Sequence, residues 1–136
     1  MRNPTYLFDA SSIIKALREA RLVPLGGQAL QWLTIYEVIN AIWKETHLLR
    51  RLDLNEADSL LRDLIELIQE MIILEPRGLK QDILRIAVSK GVTVYDASYI
   101  AIAAKHGLTL VTEDQKLSRV ARNVVNVVSL NYIINT

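Results

Sequence analysis

The chain contains no cysteine and only two histidines, His47 and His106. Neither a disulfide framework nor a Cys/His zinc site can be built from it, and any bound metal must be a hard cation held by oxygen. No run reaches 18 consecutive apolar residues, which excludes an ordinary membrane-spanning helix. The opening Met1-Arg2-Asn3-Pro4-Thr5-Tyr6 leads into a strand-like segment rather than the apolar core of a secretion signal, so cytoplasmic residence without membrane association is expected. There is also no excess of one charge and no shortage of apolar residues. With 51% hydrophobic and 23% charged residues, the composition is that of a folded protein rather than a disordered one. Repeats, low-complexity tracts and linkers are absent, and 136 residues suffice to bury a core, so a single domain over 1–136 is expected.

The formal net charge is +1. When the four acids Asp9, Glu37, Asp96 and Asp114, singled out below, are set aside, 11 acidic residues remain against 16 basic ones. That surplus of five suits a polyanionic partner.

Apolar periodicity alternates between short strands and helices, the pattern of an α/β fold with a mostly parallel central sheet flanked by helices. Residues 5–8 read as the first strand. The helix-start cluster Asp9-Ala10-Ser11-Ser12 then opens a helix to about residue 21, before Pro24 and Gly26-Gly27 break the chain. A second helix is expected over 34–47, with Ile35, Val38, Ile39 and Ile42 on one side and Glu37, Asn40, Ala41 and Lys44 along another. A third runs from the cap Asn55, with Asp58 three positions on, to about Met71. Residues 72–74 read as a short strand, 79–89 as a helix ended by Gly91, and 93–95 as strand-like. Asp96 opens the small-residue helix 97–105, which Gly107 terminates. A strand at 108–111, a short helix at 113–122 and a last strand at 124–128 complete the series.

Asp9, directly after the first strand, is placed where open parallel sheets bind ligands, and it can equally cap the next helix. Glu37 lies among apolar neighbours, Trp32-Leu33-Thr34-Ile35-Tyr36-Glu37-Val38-Ile39, where an unpartnered carboxylate is costly. Asn40 and Lys44 extend the same stripe. The bland alternative is the solvated side of an amphipathic helix. Asp96 repeats the arrangement of Asp9, and Asp114 follows the strand at 108–111 through Thr112-Glu113. Each of these two can also be read as an ordinary acid at a helix start. Together they place three carboxylates at strand ends along one rim, where like charges repel unless a cation is present. Mg²⁺ or Mn²⁺, one ion or two, would take such oxygen ligands and leave positions open for water and a phosphate, as in-line phosphodiester hydrolysis requires.

These words and their spacing resemble the PIN-domain family, in particular its short toxin-like VapC members, over nearly the whole chain. The family pattern has an acid, a small residue and a hydroxyl after the first strand, matched by Asp9-Ala10-Ser11. It continues with a helical glutamate and an asparagine three later (Glu37, Asn40), a helix-opening aspartate (Asp96), and a threonine two before a last aspartate (Thr112, Asp114). The resemblance implies a PIN-like three-layer fold and a metal-dependent ribonuclease that is the toxin of a toxin–antitoxin pair. Asp9, Glu37, Asp96 and Asp114 would then be catalytic metal ligands, with Ser11, Asn40 and Thr112 in support. The further acid that many toxin-like members carry after the last one has no counterpart in Gln115-Lys116-Leu117, which leaves Glu113 as an auxiliary candidate.

Lys15, Lys44, Lys116 and Arg119 are candidates to flank the rim, and of these Lys44 and Lys116 are expected to contact RNA phosphates. Trp32 and Trp43 read as core or dimer contacts, with base stacking as the alternative. The wide apolar faces of the second and third helices point to a homodimer. Implied partners are RNA and a small antitoxin protein. A haloacid-dehalogenase-type phosphatase would need an acid where Ser11 stands, and a receiver domain would need an early acid pair, so neither fits. The remaining alternatives are an RNA-processing PIN nuclease outside a toxin pair and a non-catalytic interaction module of the same fold.

Overall fold

The computed structural model describes residues 3–134, so residues 1, 2, 135 and 136 of the expected 1–136 span lie outside the described residues. Five short strands form one sheet: β1 (Tyr6–Phe8), β2 (Ala29–Gln31), β3 (Ile72–Leu74), β4 (Thr109–Val111) and β5 (Val127–Val128). Their order is β3-β2-β1-β4-β5, and every neighbouring pair is parallel. The expected mostly parallel sheet is therefore wholly parallel.

Side chains alternate along each strand with period two, and this alternation builds two cores. Phe8, Leu30 and Val111 face one side, where they pack with α1 (Ala10–Arg18), α2 (Trp32–Trp43), α3 (Leu54–Gln69) and α7 (Leu130–Ile134) through Ile13, Val38, Leu64 and Leu130. Leu7, Ala29 and Leu110 face the other side, against α5 (Val94–His106) and α6 (Gln115–Ala121) through Tyr99, Ile100, Ala103 and Leu117. The helix α4 (Lys80–Lys90) lies on α5. Helices on both faces of the sheet give the three-layer α/β arrangement. Among the described residues no helix is long and apolar enough to cross a membrane.

Several elements differ from expectation. Residues 93–95 form no strand, because Thr93 caps a helix instead: its side-chain oxygen accepts from Asp96 N at 3.1 Å and Val94 is already helical. The third helix is capped by Asp53 rather than Asn55. Asp53 accepts from Glu56 N at 2.8 Å while Glu56 accepts from Asp53 N at 3.1 Å, a reciprocal capping box displaced two residues upstream of the expected one. The strand β2 is a further addition to the expected series although it is as long as β1, β3 and β4, and a side chain holds its approach in place. Gln28 Oε1 accepts from both Thr5 N and Tyr6 N at 2.9 Å, standing in for ladder bonds beside β1. The terminal helix α7 is a further addition to the expected series, and its Leu130 and Ile133 are buried in the core.

The second helix ends its regular α-hydrogen bonding at Trp43 and continues as one π-type turn, Lys44–Leu48. Two hydrophobic faces meet different fates. That of α3 is largely covered through Ala57, Leu64 and Leu67, whereas α2 leaves Trp32, Tyr36, Ile39 and Trp43 exposed to solvent.

Candidate active site

The sheet order reverses between β1 and β4: from β1 the chain goes on to β2 on one side and places β4 on the other. In open α/β sheets the crevice beyond the strand C-termini at such a switch is where ligands bind. Asp9 leaves β1 at that point and Thr112 to Asp114 leave β4. The two strand ends are stitched together, since Asp9 N donates to Val111 O at 3.1 Å and Ser12 Oγ donates to both Asp9 O (2.9 Å) and Val111 O (3.0 Å).

Asp9 is 4% exposed. Burial pushes its carboxyl above the ordinary 3.8, against the opposing pull of hydrogen bonds from Thr112, Ser12 and Ser11. Ser12 N donates to Oδ1 at 2.9 Å, Thr112 Oγ1 donates to Oδ2, and Ser11 Oγ lies 2.8 and 3.0 Å from the two oxygens. The hydroxyl of Thr112 also accepts from Asp114 N at 3.0 Å, so one side chain fixes both aspartates. Asp114 in turn caps α6 by accepting from Leu117 N at 3.1 Å. For Asp9 and Asp114 the cap reading is correct, and it is compatible with a site: the cap holds each carboxylate at the rim.

Glu37 and Asp96 reach the rim from helices. Burial raises the Glu37 carboxyl above its ordinary value, and the charges of Asp9 and Asp96 raise it further; the hydrogen bond from Tyr99 opposes both. Asp96, in the first turn of α5, is raised by burial and by Asp114, with Lys116 acting in the opposite sense. Asp9 and Asp96 thus act on Glu37, and Asp114 acts on Asp96. The structure brings the four acids into one electrostatic group. Only Asp9 and Asp114 follow strands, however, so the expected third strand-end carboxylate is corrected: Asp96 enters on a helix capped by Thr93.

Among the described residues no three acidic side chains are drawn close enough to enclose a metal ion. Four like charges repel, and Asp9, Glu37 and Asp114 are engaged in hydrogen bonds of their own. The chemistry of the donor set nevertheless fits a hard divalent cation, because it consists of carboxylates and hydroxyls with no sulfur or imidazole among them.

A buried polar strut under this rim was not among the expected features. Tyr99, 2% exposed, donates to Glu37 Oε1 at 2.5 Å and shares a 2.8 Å hydrogen bond with Thr34, while Gln31 Nε2 donates to Ser98 Oγ at 2.9 Å. These bonds lock α2 onto α5 and aim Glu37. Burial and the neighbouring Glu37 charge hold the Tyr99 hydroxyl far above its usual range, so it remains a donor. A usable clue was present: a tyrosine in a helix of small and aliphatic residues must find a partner for its hydroxyl.

Of the expected supporting residues, Ser11 and Thr112 touch Asp9, whereas Asn40 is exposed on α2 beside Glu37. Lys116 lies near enough to act on Asp96, and Lys44 is exposed on the π-type turn. Lys15 is paired with Glu113 at 3.0 Å, and the other Glu113 oxygen accepts from Leu130 N at 2.8 Å. Glu113 therefore anchors α1 and α7 rather than standing among the four acids.

Residues 6–123 match the family model described as PIN domain. The chain is 37% identical over 127 residues to Exonuclease VapC9 of Pyrobaculum aerophilum, spanning 92% of each protein. It is 38% identical over 88 residues to Ribonuclease VapC3 of the same organism, spanning 63% of this chain and 65% of that protein. The crystal structure of PAE2754 from Pyrobaculum aerophilum superposes with a TM-score of 0.81 at 30% identity, covering 98% of this chain and 97% of that one. A doubly wound parallel sheet, with acids from two strand ends and two helices at its switch point, and a family match over most of its length place this chain in the PIN-domain family.

Proposed function

We propose that the chain is a divalent-metal-dependent ribonuclease that cleaves RNA phosphodiester bonds as the toxin of a toxin–antitoxin pair. The observation that carries this reading is the gathering of Asp9, Glu37, Asp96 and Asp114 at the sheet's switch point, where the first three hold their protons more tightly than ordinary carboxyls. Acids that raise one another's proton affinity in this way are relieved by a cation, and the names of the VapC relatives agree with a nuclease.

In this reading Asp9, Glu37, Asp96 and Asp114 hold Mg²⁺ or Mn²⁺. A bound ion of this kind supplies an activated water and neutralises charge on the phosphate. The chain's own residues do the rest. Ser11 and Thr112 keep the Asp9 carboxylate oriented, Tyr99 keeps Glu37 directed at the rim, and Asn40 offers an amide beside Glu37. Lys44 and Lys116 supply positive charge for the strand's phosphates. The 1–136 chain acts as one cytoplasmic domain and pairs as a homodimer. A small antitoxin would inhibit by placing a guanidinium among the acids, where it can pair with carboxylates bidentately.

Labelled single-stranded RNA incubated with pure protein, with and without EDTA, tests the reading. Cleavage is expected with Mg²⁺ or Mn²⁺ and is expected to be lost both in EDTA and in Asp96→Asn. Activity that survives both would assign cleavage to another source.

A further inference from the structure

The solvent side of α2 carries Trp32, Tyr36 and Trp43, exposed by 54%, 72% and 47%. At 100° per residue these three and Ile39 occupy an arc of about 60°, opposite the buried Thr34 and Val38. Asn40, Lys44 and Glu37 form the adjoining edge of the same helix, so the aromatic stripe borders the acidic rim. With a rise of about 1.5 Å per residue, the rings are spaced about 6 and 10 Å along the axis, far enough apart for each to take a separate planar partner. Trp43 is stacked on His47, with centroids 5.5 Å apart and planes inclined by 19°, which sets the orientation of its ring in advance. Exposed cations, Lys44 and Arg50, follow the stripe.

Flat aromatic faces followed by exposed cations and bordering the proposed phosphate-cutting site suit an unpaired polynucleotide, whose bases can stack on rings while its phosphates meet positive charge. We propose that Trp32, Tyr36 and Trp43 form a stacking platform for unpaired bases of the RNA strand held at the acids. The platform makes binding depend on bases being unpaired and very little on which bases they are, since every base offers a π-face. This rests on the nuclease reading above for its substrate.

The chain's two tryptophans both lie on this stripe, so their fluorescence reports on it directly. Binding is measured in EDTA, where cleavage is arrested, with a single-stranded oligoribonucleotide, its duplex, and an abasic ribose-phosphate oligomer of equal length. The single strand is expected to quench the emission and to bind about tenfold tighter than the other two. Tyr36→Leu and Trp43→Leu should each weaken binding about tenfold, whereas Tyr36→Phe and Trp43→Phe, which keep a ring, should restore most of it. Equal binding of the abasic oligomer, or leucine variants as tight as wild type, would overturn the proposal. So would sedimentation showing that the parent is a dimer and the leucine variants are monomers, which would make the stripe a contact between two copies. The two readings fail separately. Quenching without Mn²⁺-dependent cleavage removes the nuclease and leaves the platform, whereas cleavage with a KM unaffected by the leucine variants removes the platform alone.

Discussion

Replacing Glu37 by Gln should leave the protein at least as stable as wild type when no divalent cation is present. The side chain keeps its length and its Oε1 acceptor, so Tyr99 can still donate across the 2.5 Å contact. What changes is the charge. In wild type the Glu37 carboxyl sits above its ordinary value, so burial and the repulsion of Asp9 and Asp96 together outweigh the hydrogen bond from Tyr99. The charged form is the disfavoured one, and each tenfold gain in proton affinity corresponds to about 1.4 kcal/mol against it. Because Glu37 is only half-buried, solvent screening reduces this, and a gain of about 0.5–1 kcal/mol is expected at neutral pH. For a domain of this size that is a rise of about 2–4 °C in Tm. Thermal scans in EDTA measure it, and scans in excess Mn²⁺ give the second half of the test. Wild type should rise with Mn²⁺, because the cation binds the native state, and Glu37→Gln should rise much less. A Glu37→Gln protein that melts several degrees lower in EDTA, or that gains as much from Mn²⁺ as wild type, would refute the reasoning and reduce Glu37 to a structural acid.

The complementary change, Tyr99→Phe, keeps the Glu37 charge and removes its donor, and it leaves the Thr34 hydroxyl with Gln31 N alone as a partner. It should cost about 1–2 kcal/mol in denaturant unfolding and shift the acid limb of any cleavage–pH profile to higher pH, since the bond that lowers the Glu37 value is gone. Thr112→Val removes the hydroxyl that serves both Asp9 and Asp114 N, and because Asp9 is buried the expected loss is about 2–3 kcal/mol, read by the same unfolding measurement. Stability should also depend on pH in a defined direction. The three elevated acids have folded values above the ordinary 3.8 for Asp and 4.5 for Glu, so between the unfolded and folded values the native chain holds protons that the unfolded chain has lost. Their contribution is complete at low pH and is lost as pH rises through the folded values. In EDTA the gap in Tm between Glu37→Gln and wild type should therefore widen as pH rises from about 4, and a gap that narrows would contradict the assignment.

By itself the sequence determined the fold class, because the alternation of short apolar runs with amphipathic stretches is a local property that each segment carries independently. It also picked out the four candidate acids, since the words Asp9-Ala10-Ser11, Glu37 with Asn40, Asp96, and Thr112 with Asp114 are legible without knowing what they face. The placement of β2 was decided elsewhere: Gln28 ties its approach to β1 across the sheet. Residues 93–95 read as a strand for a related reason. Thr, Val and Tyr favour strands, but the Thr93 cap bond to Asp96 N and the packing of α5 against the sheet override that preference. Tertiary structure alone decided the burial that raises Asp9, the coupling of Glu37 to Asp9 and Asp96, and the role of Tyr99. Tyr99 and Glu37 are 62 positions apart in sequence and meet only because α2 and α5 converge above the switch between β1 and β4. Which side chains carry charge is written in the sequence; how strongly those charges act on one another depends on distance and on the water removed between them, and both are set only when the chain folds.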